Sequence, residues 1–176
     1  MTGGVAVLGL GNVLMEDDAL GPHVIQVLQG AFTFPDDVAV QDLGTPGLDL
    51  APYLMGQRAA IFVDTVHAQA PPGTVRLYRR DEILKVPPQP RVSPHDPALK
   101  ETLLTLEFSG HAPGDVLLVG VVAASTESRV GLTPAVRAAI PAAVGEVLRE
   151  LERLGAAATP RATPETVTPW WEAPAV

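Results

Sequence analysis

The chain has 176 residues, 47% of them hydrophobic and 18% charged, and its formal net charge is −8. That length predicts a single domain with a buried core, and the acidic balance argues against nucleic acid, whose phosphates bind clustered Lys and Arg. The absence of cysteine excludes disulfides, thiolate metal sites and cysteine nucleophiles. Because the N-terminus lacks the charged region of a signal peptide and no apolar run would span a bilayer, we expect a cytoplasmic protein without a membrane partner.

Short apolar runs alternate with amphipathic segments along the chain. The predicted strands are 5–8, 38–42, 59–63, 74–78 and 115–122, and the predicted helices are 19–29, 48–55, 98–108 and 132–154. In the last helix we expect Thr133 as the cap and Pro134 at the first position. The stretch 86–97 carries five prolines and is expected to be irregular. This alternation predicts an α/β fold, a three-layer α/β/α sandwich with a mostly parallel twisted sheet.

The composition changes after Gly155, where Ala, Thr and Pro become frequent. We therefore expect residues 1–155 to form one α/β domain and residues 156–176 to form a tail without a core of its own. The adjacent Trp170 and Trp171 could dock this tail on the domain.

A glycine turn, Gly9-Leu10-Gly11-Asn12, follows the first predicted strand, and three carboxylates follow the turn: Glu16, Asp17 and Asp18. One interpretation is a dinucleotide-binding turn, although Leu14 stands where a third small residue is needed; Asp42 could then be the ribose acid. The other is that the glycines allow a close backbone approach, so that the acidic loop folds over the sheet edge. Asp17 or Asp18 could also cap the next helix.

In open α/β sheets, functional sites form at the carboxyl ends of the strands. Asp18 follows the first predicted strand, Asp64 follows the third, and His95 lies in the proline-rich stretch. Two carboxylates and an imidazole suit a divalent metal such as zinc, nickel or cobalt. We favour a functional role for Asp64, because a carboxylate that follows an apolar strand needs a bonding partner or water at that position. The alternative for His95 is a solvated loop histidine.

The other three histidines are weaker candidates. His67 follows Asp64 by three residues and could reach the same site. We expect His23 to lie on the surface of the first helix and His111 to be exposed in a Gly/Pro turn.

The segment from Gly9 to Gly21 resembles the N-terminal signature of the hydrogenase maturation endopeptidases. The resemblance covers about residues 4–154 and continues through five further motifs: Gly44-Thr45-Pro46-Gly47, Phe62-Val63-Asp64, Ser93-Pro94-His95, Leu118-Val119-Gly120-Val121 and Gly131-Leu132-Thr133. Members of this family remove a C-terminal extension from the large subunit of nickel–iron hydrogenases. The resemblance implies that this chain is an endopeptidase whose partner is such a large-subunit precursor.

The resemblance also implies the roles of the acidic residues. The family's metal ligands fall on Asp18, Asp64 and His95, which form an acidic, aspartyl-type catalytic site. Glu16 is then a residue of the loop and Asp17 a helix cap, and neither is a ligand. The metal is nickel that the substrate already carries, and no organic cofactor is implied. We expect the protein to act as a monomer.

Two other functions use the same residues. A binding or chaperone module could inspect the nickel centre through the same three ligands without cutting. A nucleotide-binding α/β domain would use the Gly9–Asn12 turn instead.

Overall fold

The computed structural model of the chain describes residues 3–46, 50–85, 96–165 and 168–172. The strands are β1 (Val5–Leu10), β2 (Phe32–Thr33), β3 (Val38–Gly44), β4 (Ala59–Val66), β5 (Val75–Arg79), β6 (Asp115–Val122) and β7 (Thr159–Pro160). The helices are α1 (Leu20–Ala31), α2 (Ala51–Leu54), α3 (Arg80–Lys85), α4 (Asp96–Phe108) and α5 (Pro134–Arg153), and a single 3₁₀ turn, Glu16–Ala19, precedes α1. The predicted irregular stretch lies outside the described residues except at its last two positions, which begin α4.

Five of the strands form the central sheet in the order β3-β1-β4-β6-β5. The pairs β1–β3, β1–β4 and β4–β6 are parallel, and β5 joins β6 antiparallel at one edge. The inner parallel strands β1, β4 and β6 are near-continuous apolar runs because helices cover both of their faces. The edge strand β3 is partly exposed and carries Gln41 and Asp42. The predicted mostly parallel sheet is confirmed.

Helices lie on both faces of the sheet and bury two separate apolar cores. On one face, α1 and α5 pack against alternate strand residues such as Val7, Ile61 and Val119. On the other, α2, α3 and α4 pack against the intervening residues such as Leu8, Phe62 and Leu118. This arrangement confirms the three-layer α/β/α sandwich. Every helix in the described ranges is too short or too polar to serve as a transmembrane span.

Two elements differ from the predictions, and one of them lies at the site. The predicted third strand ends at Val63, but β4 continues through Asp64 to Val66, with Asp64 opposite Gly120 of β6. The strand continues because hydrogen bonds satisfy its buried polar groups, which an apolar pattern does not reveal. The helix α3 was not predicted, since Ile83 is its one buried residue and its pattern is correspondingly weak.

Two described parts of the segment after α5 pack against the domain. The two-residue strand β7 pairs antiparallel with β2. Trp171 is 9% exposed and meets His23 edge-on, with ring centroids 5.3 Å apart, while its indole Nε1 donates to His23 Nε2 at 3.3 Å. The prediction that His23 lies on the surface is therefore wrong: it is 5% exposed, because a residue far along the chain covers it. Burial lowers the pKa of His23 and outweighs Glu172, which raises it.

An ion-pair network joins α5 to the sheet. Glu150 is 4% exposed and accepts hydrogen bonds from Arg79 Nη2 at 2.8 Å and from Arg153 Nη2 at 2.7 Å. Burial raises the pKa of Glu150, but the hydrogen bonds and charges of the two arginines outweigh it and lower that pKa to about 2. The folded chain therefore stabilises the ionised carboxylate.

This network predicts acid sensitivity. The pKa of Glu150 is lower in the folded chain than its ordinary value of 4.5, so its stabilisation is full above about pH 4.5 and is lost as the pH falls toward about 2. The difference corresponds to about 3 kcal/mol in the free energy of unfolding. Denaturant unfolding of Glu150→Gln across this interval should show a weaker pH dependence than the parent protein. Exposed Glu152 gives the control Glu152→Gln, and an unchanged pH dependence in Glu150→Gln would contradict the assignment.

Candidate active site

The candidate site lies where the strand order of the sheet reverses. From β1 the chain goes to β3 on one side, and it then crosses back to β4 on the other side of β1. Ligands of open α/β sheets bind outside the carboxyl ends of the strands at such a switch point. The acidic loop follows β1, and Asp64 lies near the end of β4, so both reach this crevice.

The glycines of the first turn permit a close approach of two backbone segments. Gly11 has a φ of +140°, and a Cβ atom there would lie 1.7 Å from the carbonyl oxygen of Asp18. A Cβ atom at Gly9 would lie 2.8 Å from the carbonyl oxygen of Gly21 in α1. The predicted folding of the acidic loop over the sheet edge is confirmed.

Asp18 is 4% exposed, and hydrogen bonds hold both of its carboxylate oxygens. Oδ2 accepts from the backbone N–H of Asn12 at 2.9 Å, and Oδ1 accepts from the hydroxyl of Thr65 at 3.2 Å. The alternative that Asp17 or Asp18 caps the next helix is wrong, because Ala19 precedes α1 and no side chain caps it. Donors on both oxygens fix the orientation of this buried carboxylate.

Asp64 is 1% exposed and lies inside β4 rather than after it. Its Oδ1 accepts a hydrogen bond from the backbone N–H of Thr65 at 2.7 Å. Thr65 thus contacts both predicted ligand carboxylates, although nothing in the sequence analysis singled it out. The feature of the sequence that could have identified Thr65 is a hydroxyl side chain directly after Asp64 in a buried strand.

Asp17 has a structural role that explains why it differs from its neighbour. It is fully buried, and its carboxylate accepts from the backbone N–H groups of Ala124, Ser125 and Thr133 at 2.8, 3.1 and 2.8 Å. The hydroxyl of Thr133 donates to it as well, at 3.0 Å. Thr133 does precede α5, as predicted, but its side chain makes no capping bond. Asp17 therefore fixes the loop between β6 and α5 and has no role as a cap.

Glu16 links the same two loops. It is 5% exposed and has a φ of +46°, a backbone conformation uncommon for a residue other than glycine. Its Oε1 lies 2.7 Å from Arg129 Nη2, and its backbone N–H donates to the carbonyl oxygen of Arg129 at 2.7 Å. Its buried Oε2 has no hydrogen-bond partner among the described residues. Glu16 and Asp17 hold the facing loop, and Asp18 is left to face β4.

The third predicted ligand, His95, lies outside the described residues. Within the described part of the chain, no three His, Asp or Glu side chains cluster as a metal site.

His67 is exposed directly after β4, and His111 is exposed as predicted. The possible ribose acid, Asp42, is an exposed residue whose carboxylate accepts from the backbone N–H of Gly44 at 2.9 Å. Neighbouring atoms still remove part of the water around this carboxyl group, and this desolvation raises its pKa and outweighs the hydrogen bond, which lowers it.

Comparisons with known proteins agree with this arrangement. A family model described as hydrogenase maturation protease matches residues 22–150. The hydrogenase 2 maturation protease of Escherichia coli (strain K12) is 35% identical over 158 residues, which are 89% of this chain and 96% of that protein. The solved hydrogenase maturating endopeptidase HybD from E. coli superposes with a TM-score of 0.83 at 34% identity, covering 90% of this chain and 98% of that one. The NiFe hydrogenase maturation protease HybD from Thermococcus kodakarensis superposes with a TM-score of 0.67 at 25% identity, covering 84% and 98%.

The class of protein is a mostly parallel α/β sandwich in which two buried carboxylates, Asp18 and Asp64, lie at the switch point of the sheet. The similarity extends over most of this chain and nearly all of the E. coli protein. The chain belongs to the hydrogenase maturation protease family and is an endopeptidase. The family resemblance inferred from the sequence motifs is confirmed.

Proposed function

We propose that this endopeptidase removes the C-terminal extension of a nickel–iron hydrogenase large-subunit precursor after nickel has been inserted. The proposal draws its substrate class from the relatives, one of which is named as a protease of hydrogenase 2 and another as a NiFe hydrogenase maturation protease. In this proposal nickel is part of the substrate and identifies a precursor that is ready to be cut.

The residues proposed to recognise the nickel are Asp18, Asp64 and His95. The observation that carries this assignment is that Asp18 and Asp64, distant in the sequence, are both buried at the switch point and both bonded to Thr65. Carboxylate oxygens together with an imidazole nitrogen are a suitable donor set for a borderline divalent ion such as nickel. The two described carboxylates therefore fit a nickel ion, and the proposal adds His95 as the third ligand.

The chemistry assigned to the chain's own residues is binding and orientation. Bound nickel supplies Lewis acidity, which polarises a carbonyl or lowers the pKa of a bound water. Asp18 and Asp64 bind the cation through their carboxylate oxygens, and the hydrogen bonds to Asp18 fix the orientation of its carboxylate group. Since the chain has no cysteine, a cysteine nucleophile has no part in the reaction.

The test is to incubate the purified protein with a nickel-loaded large-subunit precursor and to follow the precursor by intact-mass spectrometry. We expect the mass of the precursor to fall by that of its C-terminal extension, with the released peptide found in the same sample. A stable complex in which the precursor keeps its full mass would contradict the proposed cleavage and would favour a module that only inspects the nickel centre.

A further inference from the structure

Thr65 makes hydrogen bonds to both proposed ligand carboxylates at once. Its hydroxyl donates to Asp18 Oδ1 at 3.2 Å, and its backbone N–H donates to Asp64 Oδ1 at 2.7 Å. Thr65 is 1% exposed and lies within β4, where strand pairing with β6 holds the backbone on one side. Two carboxylates from separate segments are thus held against one rigid residue.

These hydrogen bonds leave the carboxylate of Asp18 able to bind a cation. An ionised carboxylate has about four lone-pair positions, two on each oxygen. The bonds to Asp18 from Asn12 and Thr65 use one position on each oxygen. Each oxygen of Asp18 therefore keeps a lone pair for a metal, while the two donors fix the rotation of the carboxylate group.

The two donors to Asp18 differ in what they attach it to. The backbone N–H of Asn12 belongs to the glycine turn that leads into the acidic loop, so it fixes Asp18 within its own segment. The hydroxyl of Thr65 belongs to β4, so it fixes Asp18 relative to Asp64. Asp64 itself is bonded through the backbone of Thr65, a contact that a change of the Thr65 side chain leaves in place.

We infer that Thr65 is a positioning residue of the nickel-recognition site. Its hydroxyl fixes the position of the Asp18 carboxylate relative to that of Asp64, so that both carboxylates contact one cation. This inference rests on the proposed function, because it assigns a role within the same site. Groups that orient metal ligands change metal affinity or activity by about 10–100-fold when they are removed. In this role Thr65 acts through Asp18 and is not itself a ligand.

The test compares the full-length protein with three variants. Thr65→Val replaces the hydroxyl by a methyl group of similar size, and Thr65→Ser keeps the hydroxyl. Thr102→Val makes the same replacement at a buried threonine of α4, outside the candidate site. Two quantities are measured for each protein: the dissociation constant for Ni²⁺ alone, by isothermal titration calorimetry, and kcat/KM for the nickel-loaded precursor.

In Thr65→Val we expect Ni²⁺ binding and kcat/KM each to weaken about tenfold, whereas Thr65→Ser and Thr102→Val stay within about twofold of the parent. Rescue by serine separates positioning from packing, because serine restores the donor without restoring the methyl group. Parent-like kcat/KM in Thr65→Val, or an equal loss in Thr65→Ser, would overturn the inference. If the parent protein itself releases no peptide from the nickel-loaded precursor, the proposed function fails instead.

Discussion

Replacement of Asp64 by asparagine is expected to reduce the rate of processing of a nickel-loaded precursor at least about a hundredfold. Removing a residue that only orients a metal ligand lowers affinity or activity by about 10–100-fold, and this change removes a proposed ligand itself. The amide has nearly the same shape and keeps an oxygen that can accept from the backbone N–H of Thr65 at the position of Oδ1. The charge that a cation needs is lost. The measurement is the initial rate of peptide release, with the melting temperature recorded for the same samples.

The matched control for this prediction is Asp36→Asn, which removes one negative charge from an exposed position in the turn before β3. We expect the control to process the precursor at the parental rate. A processing rate in Asp64→Asn within about threefold of the control would contradict the assignment of Asp64 to the site, since a difference that small corresponds to less than about 1 kcal/mol in the activation barrier.

Replacement of Asp17 by alanine is expected to lower the free energy of unfolding by about 3–5 kcal/mol. The substitution leaves the backbone N–H groups of Ala124, Ser125 and Thr133 without their acceptor, and a hydrogen bond to a charged group contributes about 1.5–3 kcal/mol. The loss is large because one carboxylate serves several donors of a distant loop. Urea unfolding of the parent and the variant measures the difference.

A suitable control is Glu127→Ala, because Glu127 lies in the same loop and its side chain is 80% exposed. Its unfolding free energy is expected to stay within about 0.5 kcal/mol of the parent. A loss below about 1 kcal/mol in Asp17→Ala would show that the loop between β6 and α5 is held by other contacts.

The different roles of the three adjacent acids show how far the sequence alone leads. Their residue types predict a charged loop, and the family resemblance singles out Asp18 as the ligand. The physical reason is visible only in the fold: the carboxylate oxygens of Asp17 accept from residues more than 100 positions away, whereas Asp18 faces Thr65 in β4. Such long-range hydrogen bonds leave no periodic trace in the sequence.

The architecture was more predictable than the site because local patterns specify it. Apolar strands alternating with amphipathic helices are enough to predict a layered α/β sandwich. The prediction ended β4 one residue too early to include Asp64, because a buried carboxylate interrupts an apolar run. It also placed His23 on the surface, since its cover, Trp171, comes from the segment expected to be a tail. The monomeric state and the cytoplasmic location stay predictions.

The most direct test of nickel recognition compares one large-subunit precursor in its nickel-loaded and nickel-free forms. Both forms are incubated with the parent protein under identical conditions, and peptide release is followed by mass spectrometry. We predict that the peptide is released from the nickel-loaded form and that the nickel-free form stays intact. Release at equal rates from the two forms would contradict the role assigned to Asp18, Asp64 and His95.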